Sequence, residues 1–87
     1  MRFEKTHFSK EDRYWLGTDT ESGRRFIGIP VANAMVDYIE YYYLSEDQYQ
    51  RFLTDKVAAF EFAESCRRHE QDNLLIQQPG SDRGIPR

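Results

Sequence analysis

Between Met35 and Tyr49 the chain reads MVDYIEYYYLSEDQY, and residues 26–50 hold Asp37, Glu40, Glu46 and Asp47 with no Lys or Arg among them. Carboxylates beside tyrosines provide chemistry for recognition rather than reaction. Acids steer a basic partner by long-range attraction, and tyrosine rings give large contact area at low entropic cost. Asp37, Glu40, Tyr41, Tyr43, Glu46 and Asp47 are therefore the expected protein-binding residues.

Other reactive types are present without a pattern that would use them. The sequence has no P-loop, nucleophile elbow, zinc-protease helix or glycine-rich dinucleotide fingerprint. His69, Glu70 and Asp72 are the nearest approach to an acid/base cluster, and at a charged helix end such residues are ordinarily solvated. His7 and His69 are isolated from each other, so no metal set is expected. Cys66 sits behind Phe62 on an apolar helical stripe and reads as a small buried hydrophobe. Trp15, Tyr14 and Phe26, with Arg13, Arg24 and Arg25 nearby, imitate a sheet surface on which bases stack beside cations. The acids of the following strand oppose phosphate there, which favours packing for Trp15 and rim positions for the arginines.

These residues need a frame. Arg13–Gly17 and Arg24–Val31 read as two strands joined through turn formers that end in Ser22-Gly23, with Gly23 at a positive φ. Ile27, Ile29 and Val31 should face the core, and Pro30 marks a strand edge or end. Asn33 suits a left-handed turn. Residues 35–44 form a third strand, with Asp37, Ile39, Tyr41 and Tyr43 on one face and Tyr38, Glu40, Tyr42 and Leu44 on the other. Ser45 to Gln48 is a capping box, flanked by Leu44 and Tyr49 as a hydrophobic staple. From 46 to about 69 the pattern is helical, with a break where Thr54 or Asp55 caps a second helix. Tyr49, Phe52, Leu53, Val57 and Phe60 are its expected buried stripe, continued by Ala63, and Ala59, Phe62 and Cys66 form a second, adjacent apolar stripe. Leu74–Gln77 could return as a fourth strand. Phe3 and Phe8 show no clear period, and the segment is either pinned by them as an edge strand or frayed.

The fold expected is α+β: an antiparallel sheet of three or four strands packed by one bent helix or two consecutive helices. At 87 residues the chain makes a single domain, residues 1–78, with 79–87 as a flexible tail. Six Phe, six Tyr and one Trp supply a ring-rich core. A net charge of −3 and a pI near 5.3 disfavour nucleic acid as the partner. One cysteine, no signal-peptide core and no apolar run of spanning length point to a cytoplasmic protein with no membrane partner.

At IPVANAMVDYIEYY, FAESCRRHEQDNLLIQQPG and SDRGIPR the chain resembles a group of small bacterial proteins without assigned activity, and the likeness covers most of its length. In size, charge and architecture it is also similar to immunity proteins, which bind and block a toxin. The expectation is a non-enzymatic interaction protein without cofactor, an immunity-type inhibitor whose acidic tyrosine face docks on a basic toxin. A nucleic-acid-associated module and a structural homodimer are the alternatives.

Overall fold

The computed structural model describes residues 2–32, 37–77 and the backbone of 85–86. Strands β1 (Phe3–Ser9), β2 (Tyr14–Asp19), β3 (Arg25–Ala32) and β4 (Asp37–Leu44) form an antiparallel sheet in chain order. Helices α1 (Glu46–Thr54) and α2 (Lys56–Arg67) follow and pack on one face, giving the expected α+β architecture. A two-residue strand β5 (Ile85–Pro86) pairs with β3 at Val31 and Ala32. On that side β2 pairs with β3 only from Arg25 to Gly28. Pro30, with no amide hydrogen to offer, falls between the two neighbours. The expected Asn33 turn, the first two residues of the 35–44 strand, and residues 79–84 and 87 of the expected tail lie outside the described residues.

Strand alternation sorts the side chains into two sets. Tyr14, Leu16, Ile27, Ile29, Tyr42 and Leu44 point to the helices and join Tyr49, Phe52, Ala59, Ala63 and Cys66 in one core. Each fully buried large side chain contributes about 2 kcal/mol through area removed from water. The β2–β3 connection is built by its own residues. Gly23 adopts φ 74°, its amide donates to the Asp19 carbonyl at 2.7 Å, and the Asp19 carboxylate accepts from the Glu21 amide and the Ser22 hydroxyl, each at 3.0 Å.

The capping box forms as expected: the Gln48 amide donates to Ser45 Oγ at 3.1 Å, and the Ser45 amide donates to Gln48 Oε1 at 2.8 Å. Asp55 both ends α1 and starts α2. Its amide closes on the Arg51 carbonyl while its carboxylate accepts from the Ala58 amide at 3.0 Å. Its extended backbone (φ −113°, ψ 92°) breaks the helical phase where expected, and the first of the two expected stripes is corrected in part. Leu53, Val57 and Phe60 are 37%, 67% and 41% exposed, whereas Ala59, Ala63 and Cys66 turn inward. After α2 the chain reverses through His69 at φ 62°, with the His69 and Glu70 amides closing on the Cys66 and Ser65 carbonyls as in a Schellman motif.

One further expectation changes, and one of two open readings is resolved. Residues 74–77 do not make a strand: Asp72–Leu74 is a 3-10 turn, and contact with the sheet is a single bridge from Leu75 to Tyr42 plus the Ile76 amide on the Tyr41 carbonyl. The N-terminal segment is a full edge strand whose register slips between Lys5 and His7. Phe3 and Lys5 lie on the face away from the helices, Thr6 reaches the Tyr49 hydroxyl on the helix side at 2.6 Å, and Phe8 returns to the open face opposite Trp15. The bulge explains why this segment shows no period of two.

Candidate functional site

The face of the sheet away from the helices carries Phe3, Lys5 and Phe8 from β1, Trp15 and Gly17 from β2, Phe26, Gly28 and Pro30 from β3, and Asp37, Ile39, Tyr41 and Tyr43 from β4. No described helix packs on it. Two glycines shape it. A side chain at Gly17 would run into the Glu4 carbonyl and come within 2.8 Å of Phe26 Cζ, and one at Gly28 would meet Ile39 Cγ2 at 3.0 Å. Over the trough they leave, Phe3 and Tyr41 reach across the sheet and stack with centroids 3.7 Å apart. Both meet Phe26 edge-on, at 5.6 and 4.9 Å. Phe26 is thereby fully buried on a face that no helix covers. Burial also raises the Tyr41 hydroxyl above its ordinary pKa.

Beyond this seal the surface is open. Phe8, 48% exposed, stacks on Trp15 at 4.8 Å. With Pro30, Lys10, Arg13 and Asp37 they line a groove of about 360 Å³, within the range of small-ligand and side-chain pockets. Lys5 Nζ lies 5.3 Å from the Trp15 ring centre, and the Arg24 guanidinium lies 3.8 Å over Tyr43. Lys5, Lys10, Arg13 and Arg24 form no ion pair with any described residue. Arg2 is the exception on that face, paired with Asp19 at 3.1 Å and Glu21 at 3.3 Å. On the helix side each described arginine has an ion pair: Arg25 with Glu46 at 3.0 Å, Arg51 with Asp55 at 3.6 Å, Arg67 with Glu64 at 3.1 Å and Arg68 with Glu70 at 2.7 Å.

The residues expected to bind protein divide between the two sides. Asp37, Tyr41 and Tyr43 share the open face. Glu40 does not join them: the alternation of β4 turns it to the helix side, where it is 5% exposed and accepts from the Tyr42 hydroxyl at 3.0 Å and the Tyr38 hydroxyl at 3.3 Å. Glu46 is exposed at the far end of β4, its carboxyl held low by the Gln50 amide and then by Arg25. Asp47 is exposed in the first turn of α1. These six residues therefore make no single acidic surface. The acids and rings adjacent in sequence are separated by strand geometry, and the face holding Tyr41 and Tyr43 is cationic.

The alternative set fares differently. Trp15, Arg13 and Arg24 share the open face with the described strand carboxylates of Asp37 and Asp19, the latter paired with Arg2 at 3.1 Å, while Arg25 lies on the other side, 4.2 Å over Tyr49. The rings already cover one another, in the Phe3–Tyr41 and Phe8–Trp15 stacks and beneath Arg24. Few free π surfaces remain for a base to stack on. Phe3, Lys5, Phe8 and Lys10 were not among the expected site residues, since the bulge hides their alignment; the glycines inside two predicted strands were the available signal of close approach.

The remaining reactive types stay apart. His69 is exposed at the α2 terminus, and Glu70 is held by Arg68, which keeps its carboxyl below the ordinary range. Cys66 is fully buried. Among the described residues no group of three or more His, Cys, Asp or Glu is placed to hold a metal ion, and no helix is long and apolar enough to cross a membrane. No family model, curated protein or solved structure matches the chain.

Proposed function

We propose that this protein is a non-enzymatic interaction module that docks a partner protein on the open face of its sheet. The observation that carries this reading is the pairing of exposed or half-buried rings with four cations that have no described ion pair. Aromatic rings beside arginines are what binding surfaces concentrate, and the lysines add long-range attraction at the rim. Toxin neutralisation, the role of the immunity proteins that the chain is like in size and architecture, is one function such a face can serve. The partner's chemistry is then the reverse of that expected from the acid-rich stretch, because the carboxylates of that stretch are dispersed. Self-association through this face is disfavoured, since a second copy would bring like charges together. The charges of Glu4 and Lys5 and the β1 bulge also blunt pairing at the outer strand.

The test is cross-linked capture from lysate of the source cells with three forms of the full chain: wild type, Phe8→Glu on the open face, and Val57→Lys on the exposed helix stripe. The expected result is one protein retained by wild type and Val57→Lys and lost by Phe8→Glu. Retention by Phe8→Glu with loss by Val57→Lys would move the docking surface to Leu53, Val57 and Phe60 and overturn the proposal.

A further inference from the structure

We infer that the groove beside the Phe8–Trp15 stack takes a carboxylate-rich segment of the partner protein. This rests on the open face being the docking surface, and it assigns the chemistry of what docks there. The groove's floor is apolar, formed by Phe8, Trp15 and Pro30, while its rim carries Lys10 and Arg13 against the single described carboxylate of Asp37. Lys5 stands over Trp15 at the adjoining position. Two cations against one acid in the lining leave the groove itself with a positive excess, with Lys5 at its margin and Glu11 and Asp12 of the same turn outside the lining, in a chain whose overall charge is −3.

The rim is held in place before any ligand arrives. Lys10 and Arg13 belong to the β1–β2 turn, where the Arg13 amide donates to the Ser9 carbonyl at 2.8 Å and the Asp12 amide to Ser9 Oγ at 3.2 Å. Arg67 reaches over from the end of α2 and donates to the carbonyls of both Asp12 and Arg13, each at 2.6 Å. Arg13 itself sits at φ 55°, a conformation that side chains rarely adopt and that persists where surrounding bonds fix it. Glycine would make this turn without strain but would remove a cation from the rim. Fixing the cations in advance lowers the ordering cost of binding.

An acidic peptide fits this groove better than a nucleic acid does. The stacked and capped rings offer little free surface to bases, and the acids elsewhere on the chain oppose a continuous phosphate backbone. A segment with a few carboxylates and an apolar side chain instead matches a few cations around one apolar floor.

The experiment titrates the full chain with a random glutamate–tyrosine copolymer, a lysine–tyrosine copolymer and oligouridylate, following the emission of Trp15, the only tryptophan, by selective excitation. The expected result is a saturable change with the acidic copolymer alone, weakening as salt is raised. Lys10→Ala with Arg13→Ala should lower that affinity about tenfold, the combined worth of two surface ion pairs. Arg51→Ala with Arg68→Ala, which removes the same charge from the helix layer, should leave it within about twofold. No saturation with the acidic copolymer, an equal response to the basic one, binding of oligouridylate in its place, or equal losses in the two double variants would each overturn the inference. If Phe8→Glu still abolishes capture of the partner in such a case, the open face stands as the docking surface and only its acidic ligand is withdrawn.

Discussion

Gly17→Ala should be among the most damaging single-methyl additions this chain can receive. At Gly17 an added Cβ points at the Glu4 carbonyl on β1 and lies 2.8 Å from Phe26 Cζ. The ring cannot give way easily, because Phe26 is fully buried with Phe3 and Tyr41 set edge-on against it. The backbone contact cannot be relieved by a rotamer at all. It requires β1 to move away from β2, which weakens the pairs Glu4 to Thr18 and Lys5 to Gly17 and pulls Phe3 off Tyr41. Overpacking of this kind costs about 3 kcal/mol, a large share of the total stability of a small domain. For a domain of this size that corresponds to a fall in Tm of roughly 12–24 °C. The assay is thermal and urea unfolding by circular dichroism. Two other glycines supply the scale. Gly23→Ala meets no atom within 4 Å but must keep φ 74°, which costs about 1 kcal/mol. Gly28→Ala meets a single side-chain methyl, Ile39 Cγ2, at 3.0 Å with no backbone contact, and should cost about 1–2 kcal/mol. Wild-type stability for Gly17→Ala, or a loss no greater than that of Gly23→Ala, would refute the close approach of β1 and β2 and the ring seal built on it.

Two further outcomes follow from titratable groups. The Asp19 carboxyl is held below its ordinary value first by its hydrogen bonds from Arg2, at 3.1 and 3.2 Å, with burial opposing and the Glu21 amide and Ser22 hydroxyl assisting. A carboxyl depressed in the folded state contributes stability above its unfolded pKa of about 3.9 and loses it as pH falls through the lower folded value. The stability difference between wild type and Asp19→Asn, measured by urea unfolding, should therefore be full at about pH 6 and shrink toward about pH 3, and a constant difference would exclude this role for Asp19. Burial pushes the Cys66 thiol up to about 12, with Arg67 offsetting only part of the effect. Folded protein should react with a thiol reagent at mildly alkaline pH far more slowly than protein unfolded in urea, and equal rates would show that the thiol is accessible.

Most of the fold is legible in the sequence because its signals are local. The Ser45–Gln48 box, the Gly23 turn and the Asp55 break each depend on residues a few positions apart, and each forms as read. The alternation of Ile27, Ile29 and Val31 likewise gives the buried side of β3 directly. What the sequence hides is set by phase and by distance. The slip between Lys5 and His7 moves Phe8 to the same face as Phe3, so no regular spacing announces the ring surface of β1. Two adjacent apolar stripes are legible on the helical segment, but after the extended backbone at Asp55 it is the second, with Ala59 and Cys66, that turns inward together with Ala63, while Val57 and Phe60 are left outside. Residues 26–50 look uniformly acidic along the chain, yet Glu40 and Tyr41 point to opposite sides of the sheet. Charge read along a strand averages two faces, and only the alternation separates them.

That separation gives the two faces of the sheet different status. On the helix side the polar groups are consumed by the fold: Glu40 takes two tyrosine hydroxyls, Thr6 meets Tyr49, and each arginine has its carboxylate. On the open side the structural work is done by the Phe3, Phe26 and Tyr41 rings together with the two glycines. Phe8, Lys10 and Arg13 lie outside this seal, and exposed groups of this kind ordinarily change stability by no more than about 0.5 kcal/mol when replaced. The β1–β2 turn is nonetheless tied down by Arg67 from the opposite layer, and it holds Arg13 in a costly conformation. A turn with no task beyond reversing the chain would gain from glycine at that position. Restraint spent on a cation that pairs with nothing described is better explained by a carboxylate that arrives from outside.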